Sequence, residues 1–383
     1  MIRFSLAVGL VLGAGLVSLA AAAHPDETRR IEFPALKDGR TVLAIDPHTH
    51  SVFSDGHVWP TVRVWEAQRD GLAAYAVTEH LEYQPHKDDI PHPDRDRSYA
   101  LARETVARGQ ERAPEDQPLL VIRGSEITRG FPPGHMNAIF ITDSNALLKD
   151  DVMEVIRIAN DQGGFLFWNH PSWTRDFPNG VVEMHPFHEN LIEKGWLHGI
   201  EVVNGGRYSE EAFQIALDYD LAVIGVSDIH GLVDWDYDVQ TGGQRSVTLV
   251  ATDEISVDAI KAEFVNKRTV AYFDDTLIGR EPDVDAIVRA SLRLEDRGYR
   301  PRRNGGTTVL NATIHNDSPA DFLLRRVGDT SFATHGDVIA VPAHGSVDLE
   351  IKDVAVREAL TLKLQVLNSY IAPSEHLVID LTP

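Results

Sequence analysis

Between residues 41 and 267 short apolar runs alternate with amphipathic stretches. The runs at 42–45, 73–77, 119–122, 138–141, 165–168, 200–203, 222–226 and 246–250 are rich in β-branched residues and nearly continuous in apolar character. That pattern predicts strands of a largely parallel sheet covered on both faces. The stretches between them carry helix signals. Pro60 opens one segment and Gly71 ends it, while 151–160 sets Val152, Val155, Ile156 and Ala159 at helical spacing. Ser209 and Ser256 stand where helix caps are expected, and Glu210 and Glu211 fall in the first turn after Ser209. Alternation over this length predicts a (β/α) barrel or a doubly wound sheet. After about residue 280 the texture changes. Residues 307–314 alternate apolar and polar, 316–319 read as a turn, and short runs follow at 338–341, 347–351 and 360–366. A small antiparallel, sandwich-like β-domain is expected over 284–383.

The first residues follow another rule. Arg3 precedes a charge-free stretch from 4 to 23 that ends in four alanines, and polar His24-Pro25-Asp26-Glu27 follows directly. This order predicts a secretory signal over 1–23, a short extension over 24–40, and an exported, periplasmic or secreted mature protein. A membrane anchor is the alternative, and the alanine-rich end favours cleavage.

Composition narrows the chemistry. The chain has 36 Lys plus Arg against 58 Asp plus Glu, a formal net charge of −22. A surface so acidic repels phosphate backbones and anionic lipid, which argues against a nucleic-acid binder and against stable membrane association. With no cysteine, disulfides, thiolate zinc sites and cysteine nucleophiles are excluded. His, Asp and Glu remain as metal ligands.

Those residue types fall where the expected strands end. His48-Thr49-His50 follows 42–45, and on extended backbone two imidazoles so spaced face one side. Asp55 comes next, before Gly56. Residues 73–77 lead into Thr78-Glu79-His80, and 119–122 into Gly124-Ser125-Glu126, with Gly134-His135 closing the loop beyond. Residues 165–168 lead into Asn169-His170-Pro171, and 222–226 into Ser227-Asp228-Ile229-His230. In a parallel α/β fold such strand ends open onto one face, where active sites sit. Six imidazoles and three carboxylates converge there, which a multinuclear metal cluster explains best.

These motifs, with Ser51 and Ser54 completing the first, resemble in order and spacing those of the PHP (polymerase and histidinol phosphatase) family over about residues 41 to 278. The opening motif and the β-rich tail are more similar to the branch that includes a carbaryl hydrolase. The resemblance implies a distorted (β/α)7 barrel with a trinuclear site at the strand C-termini. It implies that His48, His50, Glu126 and Asp228 hold one metal, that Glu126 bridges to a second completed by His135 and His170, and that Asp55, His80 and His230 hold a third. Two to three divalent transition metals (Mn, Zn or Fe) are the expected cofactors. A metal-bridging hydroxide is the expected nucleophile, with Glu126, Asp228 and His230 as the catalytic set.

Around that core, Arg129, Arg175 and Arg207 lie just beyond active-face strand ends and are candidates to bind a phosphoryl oxygen. Each has pairing with surface acids as its alternative. Glu79 is a candidate to orient a ligand or carry a proton, and Asn169 and Asn204 to hydrogen-bond the ligands. His185 and His188 read as surface residues. His315, His335 and His344 are widely spaced in turn-like contexts and match no zinc motif. A small, anionic substrate is expected, and oligomeric state is left open. Three functions remain: a phosphomonoesterase or phosphodiesterase, a carbamate, amide or ester hydrolase, and a noncatalytic metal-binding protein. The first is favoured.

Overall fold

The computed structural model describes residues 30–383 except 91, 114–116, 302–307, 329 and 353–359. The signal expected over 1–23 and the start of the 24–40 extension lie outside the described residues. The first half runs β1 (Thr41–Asp46), α1 (Pro60–Arg69), β2 (Ala74–Val77), α2 (Arg97–Arg112), β3 (Leu120–Thr128), β4 (His135–Ile139), α3 (Val152–Asp161) and β5 (Phe165–Trp168). It continues through α4 (Pro186–Glu193), β6 (Gly199–Asn204), β7 (Arg207–Tyr208), α5 (Glu210–Asp218), β8 (Ala222–Val226) and α6 (Val233–Asp236). Then follow β9 (Val247–Thr252), α7 (Val257–Val265), β10 (Val270–Phe273), β11 (Thr276–Gly279) and α8 (Glu281–Ser291). The helix signals act as expected: Pro60 begins α1, and the side chains of Asp151, Ser209 and Ser256 accept the amides of Glu154, Ala212 and Ala259 at 3.0, 3.1 and 3.1 Å.

Strands β1, β2, β3, β4, β5, β6 and β8 form the barrel wall in that order. The wall closes just past the strand ends, where Asp228 N–H donates to His48 O at 3.0 Å and His50 N–H to Ile229 O at 3.1 Å. Two expected strands run against the parallel grain. β4 pairs antiparallel with both β3 and β5, because the link 129–134 is far shorter than the dozen or so residues a parallel crossover requires. β9, expected as one of the parallel set, lies antiparallel to β1. Inside, Ile45, Phe165, Phe167 and Ile224 are buried, and each such side chain contributes about 1.5–3 kcal/mol relative to exposure.

The tail comprises β12 (Leu292–Pro301), β13 (Thr308–Asn316), β14 (Phe322–Arg326), β15 (Ser331–Phe332), β16 (Val338–Val341), β17 (Ser346–Lys352), β18 (Leu362–Ala372) and β19 (Glu375–Leu381). One sheet is β12-β13-β17-β15, and the other joins β16, β14, β18 and β19. Their apolar faces meet around Leu310, Ile314, Phe322, Leu349, Leu364 and Ile379, and Val284, Ile287 and Val288 of α8 extend the same core toward the barrel. β18 also pairs parallel with β11, Leu277 opposite Ser369 and Ile278 opposite Tyr370, so the second sheet continues the barrel's own.

Candidate metal centre

The strand ends bring all nine expected ligands together. Glu126 is fully buried between two sets of imidazoles. Its Oε1 faces His135 Nδ1 at 2.9 Å and His170 Nε2 at 3.4 Å, while Oε2 faces His48 Nε2 at 3.5 Å, His50 Nε2 at 3.4 Å and His80 Nδ1 at 2.7 Å. Asp228 Oδ1 lies 3.2 and 3.1 Å from the Nε2 atoms of His48 and His50. Asp55 stands between His80 Nε2 at 3.3 Å and His230 Nε2 at 3.1 Å. Three overlapping groups have ligand atoms within 4.8 Å of one another: His50, Asp55, His80 and His230; His48, His50 and Glu126; and His80, Glu126 and His135.

Local backbone explains the convergence. At Gly56 a Cβ would lie 2.7 Å from the His50 carbonyl carbon, so only glycine lets the Ser54-Asp55-Gly56 turn fold back onto the first motif. Asp228 and His170 adopt positive φ, +51° and +28°, conformations that non-glycine residues hold only when the surroundings enforce them.

The hydrogen bonds behind three of the candidate ligands set their tautomers. His48 Nδ1 donates to Glu201 Oε1 at 2.7 Å, and His230 Nδ1 to the Asp228 carbonyl at 2.8 Å. Ser54 Oγ donates to Glu79 Oε2 at 2.6 Å and so accepts from His50 Nδ1 at 3.2 Å. The Nε2 lone pairs of these three histidines are thereby turned toward carboxylate oxygens. Acceptor facing acceptor is repulsive unless a cation lies between. Asp55 Oδ1, Glu126 Oε2, Asp228 Oδ1 and His170 Nδ1 are among the buried atoms of the described residues with no hydrogen-bond partner, the nearby His80 Nδ1 being bonded to Thr128 Oγ1 at 2.7 Å. The donor set, nitrogen and oxygen with no sulfur, suits divalent transition metals.

Without cations the groups shift one another. Burial opposes charge on His48, but Asp228, Glu201 and Glu126 outweigh it and hold it well above the ordinary histidine range. Burial likewise opposes charge on His80, yet Glu126 and Asp55 carry it up to about 10. His50 goes the other way, to about 4, because burial and the neighbouring His230 and His80 outweigh Asp228. Glu126 sits well below the usual carboxylate range against its own burial, held there by His80 and His48.

Beside the ligands opens a cavity of about 270 Å³, lined also by Ser172, Trp173, Asn204 and Arg207. Of the three expected arginines only Arg207 lines it. Arg129 pairs with Glu82 at 2.8 Å, and the Arg175 guanidinium lies over the Trp173 ring at 5.2 Å. Asn169 donates to Glu126 Oε1 at 2.9 Å and Asn204 to Asp228 Oδ2 at 3.1 Å, as expected of residues supporting the ligands. The Glu79 side chain points away from the cluster into Ser51, Ser54 and Ser98 and meets it through Ser54 and His50, while its carbonyl accepts Glu126 N–H at 3.0 Å. His185 caps α4 by accepting Phe187 N–H at 3.1 Å. His188 corrects the surface expectation: it is buried against Trp168, ring centroids 4.0 Å apart, with Nε2 bonded to Pro133 O at 2.8 Å. His315 bonds Glu295 at 2.9 Å on β13, and no tail residue joins the three ligand groups among the described residues.

Two supporting residues escaped the sequence reading. Glu201, buried in β6, accepts from His48, from His170 N–H at 2.5 Å and from Asn204 Nδ2 at 2.9 Å. Its signal was a lone carboxylate inside the apolar run Gly199-Ile200-Glu201-Val202-Val203. Arg63, buried on α1, donates to the carbonyls of His50 at 2.8 Å, Ile229 at 3.2 Å and His230 at 2.9 Å, tying two ligand loops to one guanidinium.

A barrel with histidine and carboxylate side chains gathered at its strand ends defines a class able to hold metal ions. A solved structure from Bacteroides vulgatus, described as a two-domain protein containing a predicted PHP-like metal-dependent phosphoesterase, is 38% identical and superposes with a TM-score of 0.83. The match covers 92% of this chain and 98% of that one, and the chain belongs to this PHP-like family. An Ig-like domain family matches residues 292–382. A Bifidobacterium adolescentis structure, provisionally described as a metal-dependent phosphoesterase, is 20% identical over 49% of this chain and 88% of that one, with a TM-score of 0.36. A lesion-specific endonuclease from Pyrococcus furiosus is 13% identical over 63% and 60% of the two chains, TM-score 0.40. No curated protein matched the chain.

Proposed function

We propose that the protein is a metal-dependent phosphoesterase acting on a small anionic substrate, with two to three divalent ions held by the nine ligands in the trinuclear division given above. The observation that carries this reading is the placement of Glu126, one carboxylate oxygen toward each of two imidazole sets, at the floor of a cavity that also presents Arg207. When bound, such ions lower the pKa of a coordinated water from about 15.7 toward about 7 and neutralise charge on a phosphoryl oxygen.

The chain's own groups supply holding and orientation. Glu201, Ser54 and the Asp228 carbonyl keep the Nδ1 protons of His48, His50 and His230 in place, so each Nε2 stays a free donor to a cation. Asn204 and Asn169 turn Asp228 and Glu126 to their working orientations. Arg207 provides the cationic group a phosphoryl oxygen binds best. The PHP-like phosphoesterase description of the Bacteroides vulgatus relative supports the same reading. We further propose export, on the strength of the basic, apolar and alanine-rich order of 1–23.

The test is a panel of nitrophenyl phosphomonoesters, phosphodiesters, carboxyl esters and carbamates, assayed with added manganese and zinc. Turnover concentrated on the phosphoesters is expected. A preference for the carbamate or carboxyl ester would replace this reading with carbonyl hydrolysis.

A further inference from the structure

Arg207 reaches the cavity from a short hairpin strand. β7 is two residues long, joined to β6 through Gly205 and Gly206, with Val203 opposite Tyr208 and Asn204 opposite Arg207. Gly205 is in the left-handed region at φ +58°, and a Cβ at Gly206 would meet nothing within 4 Å. Gly205 is tied to the barrel by its N–H to Val226 O at 2.9 Å and by Ser246 Oγ, which donates to its carbonyl, so the turn is anchored on its β6 side and open at Gly206 on its β7 side. This hairpin carries both Arg207, on the cavity wall, and Asn204, which holds Asp228 Oδ2 at 3.1 Å.

On its outer, β7 side the hairpin is met by the tail. On strand backbone successive side chains face opposite ways, so with Arg207 toward the cavity Tyr208 points outward. The Tyr208 ring stacks on Tyr370 of β18, centroids 5.9 Å apart and planes at 29°. Tyr370 packs against the barrel's apolar cluster, and its backbone is registered to β11 opposite Ile278. Beyond the hairpin, Ser374 Oγ at the β18–β19 turn donates to Glu210 Oε1 at 2.8 Å, pinning the first residue of α5. The tail thus grips the 207–210 segment at two points on the side away from the ligands.

We propose that the Ig-like domain completes the substrate site indirectly: Tyr370, seconded by Ser374, is a positioning residue that sets the β6–β7 hairpin and with it Arg207. The anionic character of the ligand rests on the function proposed above, and the hairpin's dependence on Tyr370 does not.

The experiment uses the full-length, metal-loaded protein as wild type, Tyr370→Ala, Tyr370→Phe, Ser374→Ala and Arg207→Ala. Hydrogen exchange in peptides spanning 203–209 is read alongside KM and kcat on a nitrophenyl phosphate and inhibition by inorganic phosphate. In Tyr370→Ala, exchange at the hairpin is expected to quicken about three- to tenfold, the factor an aromatic pair is worth. KM and the phosphate inhibition constant rise by a similar factor, while kcat stays within about twofold and metal content is unchanged. Tyr370→Phe keeps the ring and restores wild-type values. In an Arg207→Ala background, Tyr370→Ala adds less than about twofold to KM, because its effect passes through Arg207. If Tyr370→Ala does not fold, Ser374→Ala carries the test, with the same signs and smaller changes. Unchanged exchange at 203–209, no rescue by phenylalanine, or full additivity with Arg207→Ala overturns the proposal. Quickened exchange in a protein that neither turns over phosphoesters nor binds phosphate upholds the brace and refutes the phosphoesterase reading.

Discussion

Glu201→Gln tests how the ligands are held without touching a ligand. The Glu201 carboxylate is buried and accepts three hydrogen bonds, from His48 Nδ1 at 2.7 Å, His170 N–H at 2.5 Å and Asn204 Nδ2 at 2.9 Å. Glutamine preserves the shape but offers one acceptor oxygen. With that oxygen toward His48, its amide NH2 confronts two donors, the His170 N–H and the Asn204 amide. With the amide flipped, His48 must move its proton to Nε2 and so lose the lone pair aimed at the cluster. Either arrangement leaves a buried polar group unpaired, at a cost of about 1–3 kcal/mol. Loss of such an outer hydrogen bond weakens metal retention by about 10–100-fold, which is about 1.4–2.8 kcal/mol. The assay is competition for zinc or manganese with a chromogenic chelator, with the far-UV spectrum confirming the fold. Wild-type retention and turnover in a folded Glu201→Gln protein would refute the claim that Glu201 sets the His48 tautomer.

Glu126→Ala and Asp228→Ala should each lose activity by several orders of magnitude and lower bound metal on elemental analysis, with the far-UV spectrum unchanged; unfolding instead would assign the metals a structural role. Burial pushes His188 down to about 4, against about 6.5 when unfolded, so the unfolded chain takes up its proton first as pH falls. The stability this neutral imidazole contributes is complete above about pH 6.5 and is lost on acidification toward pH 4, about 3 kcal/mol over the window. His188→Gln should therefore lose less stability than wild type between pH 7 and pH 5 in urea titrations, and parallel losses would contradict the assignment. His315→Ala, His335→Ala and His344→Ala should leave metal content and turnover nearly unchanged; a tenfold fall in turnover with reduced metal in any one would bring the tail into the centre.

The convergence of the candidate ligands was legible because it is local to strand ends: His48 and His50, Asn169-His170, and Asp228 with His230 each follow an apolar run whose end is plain in the sequence. Strand direction was less so. Apolar content reads alike in parallel and antiparallel strands, and β4 is betrayed only by the short link 129–134. Residues that act from within elements were hidden. Glu201 sits in mid-strand and Arg63 on the inner face of α1, where a sequence shows a charge but not its partners. Arg129, Arg175 and Arg207 look equivalent along the chain, and only the β7 hairpin, whose Tyr208 stacks on a tyrosine more than a hundred and fifty residues later, separates the last from the others. His188 was misjudged because Trp168, which covers it, belongs to another element.

The central claim, that nine histidine and carboxylate side chains form a metal centre serving hydrolysis, is tested most directly by elemental analysis of the purified protein before and after chelation, with phosphoester turnover measured on the same samples. The expected result is two to three divalent transition metals per chain, lost with activity on chelation and recovered with it on adding manganese or zinc. A protein that carries no metal and whose turnover is indifferent to chelator would contradict the account.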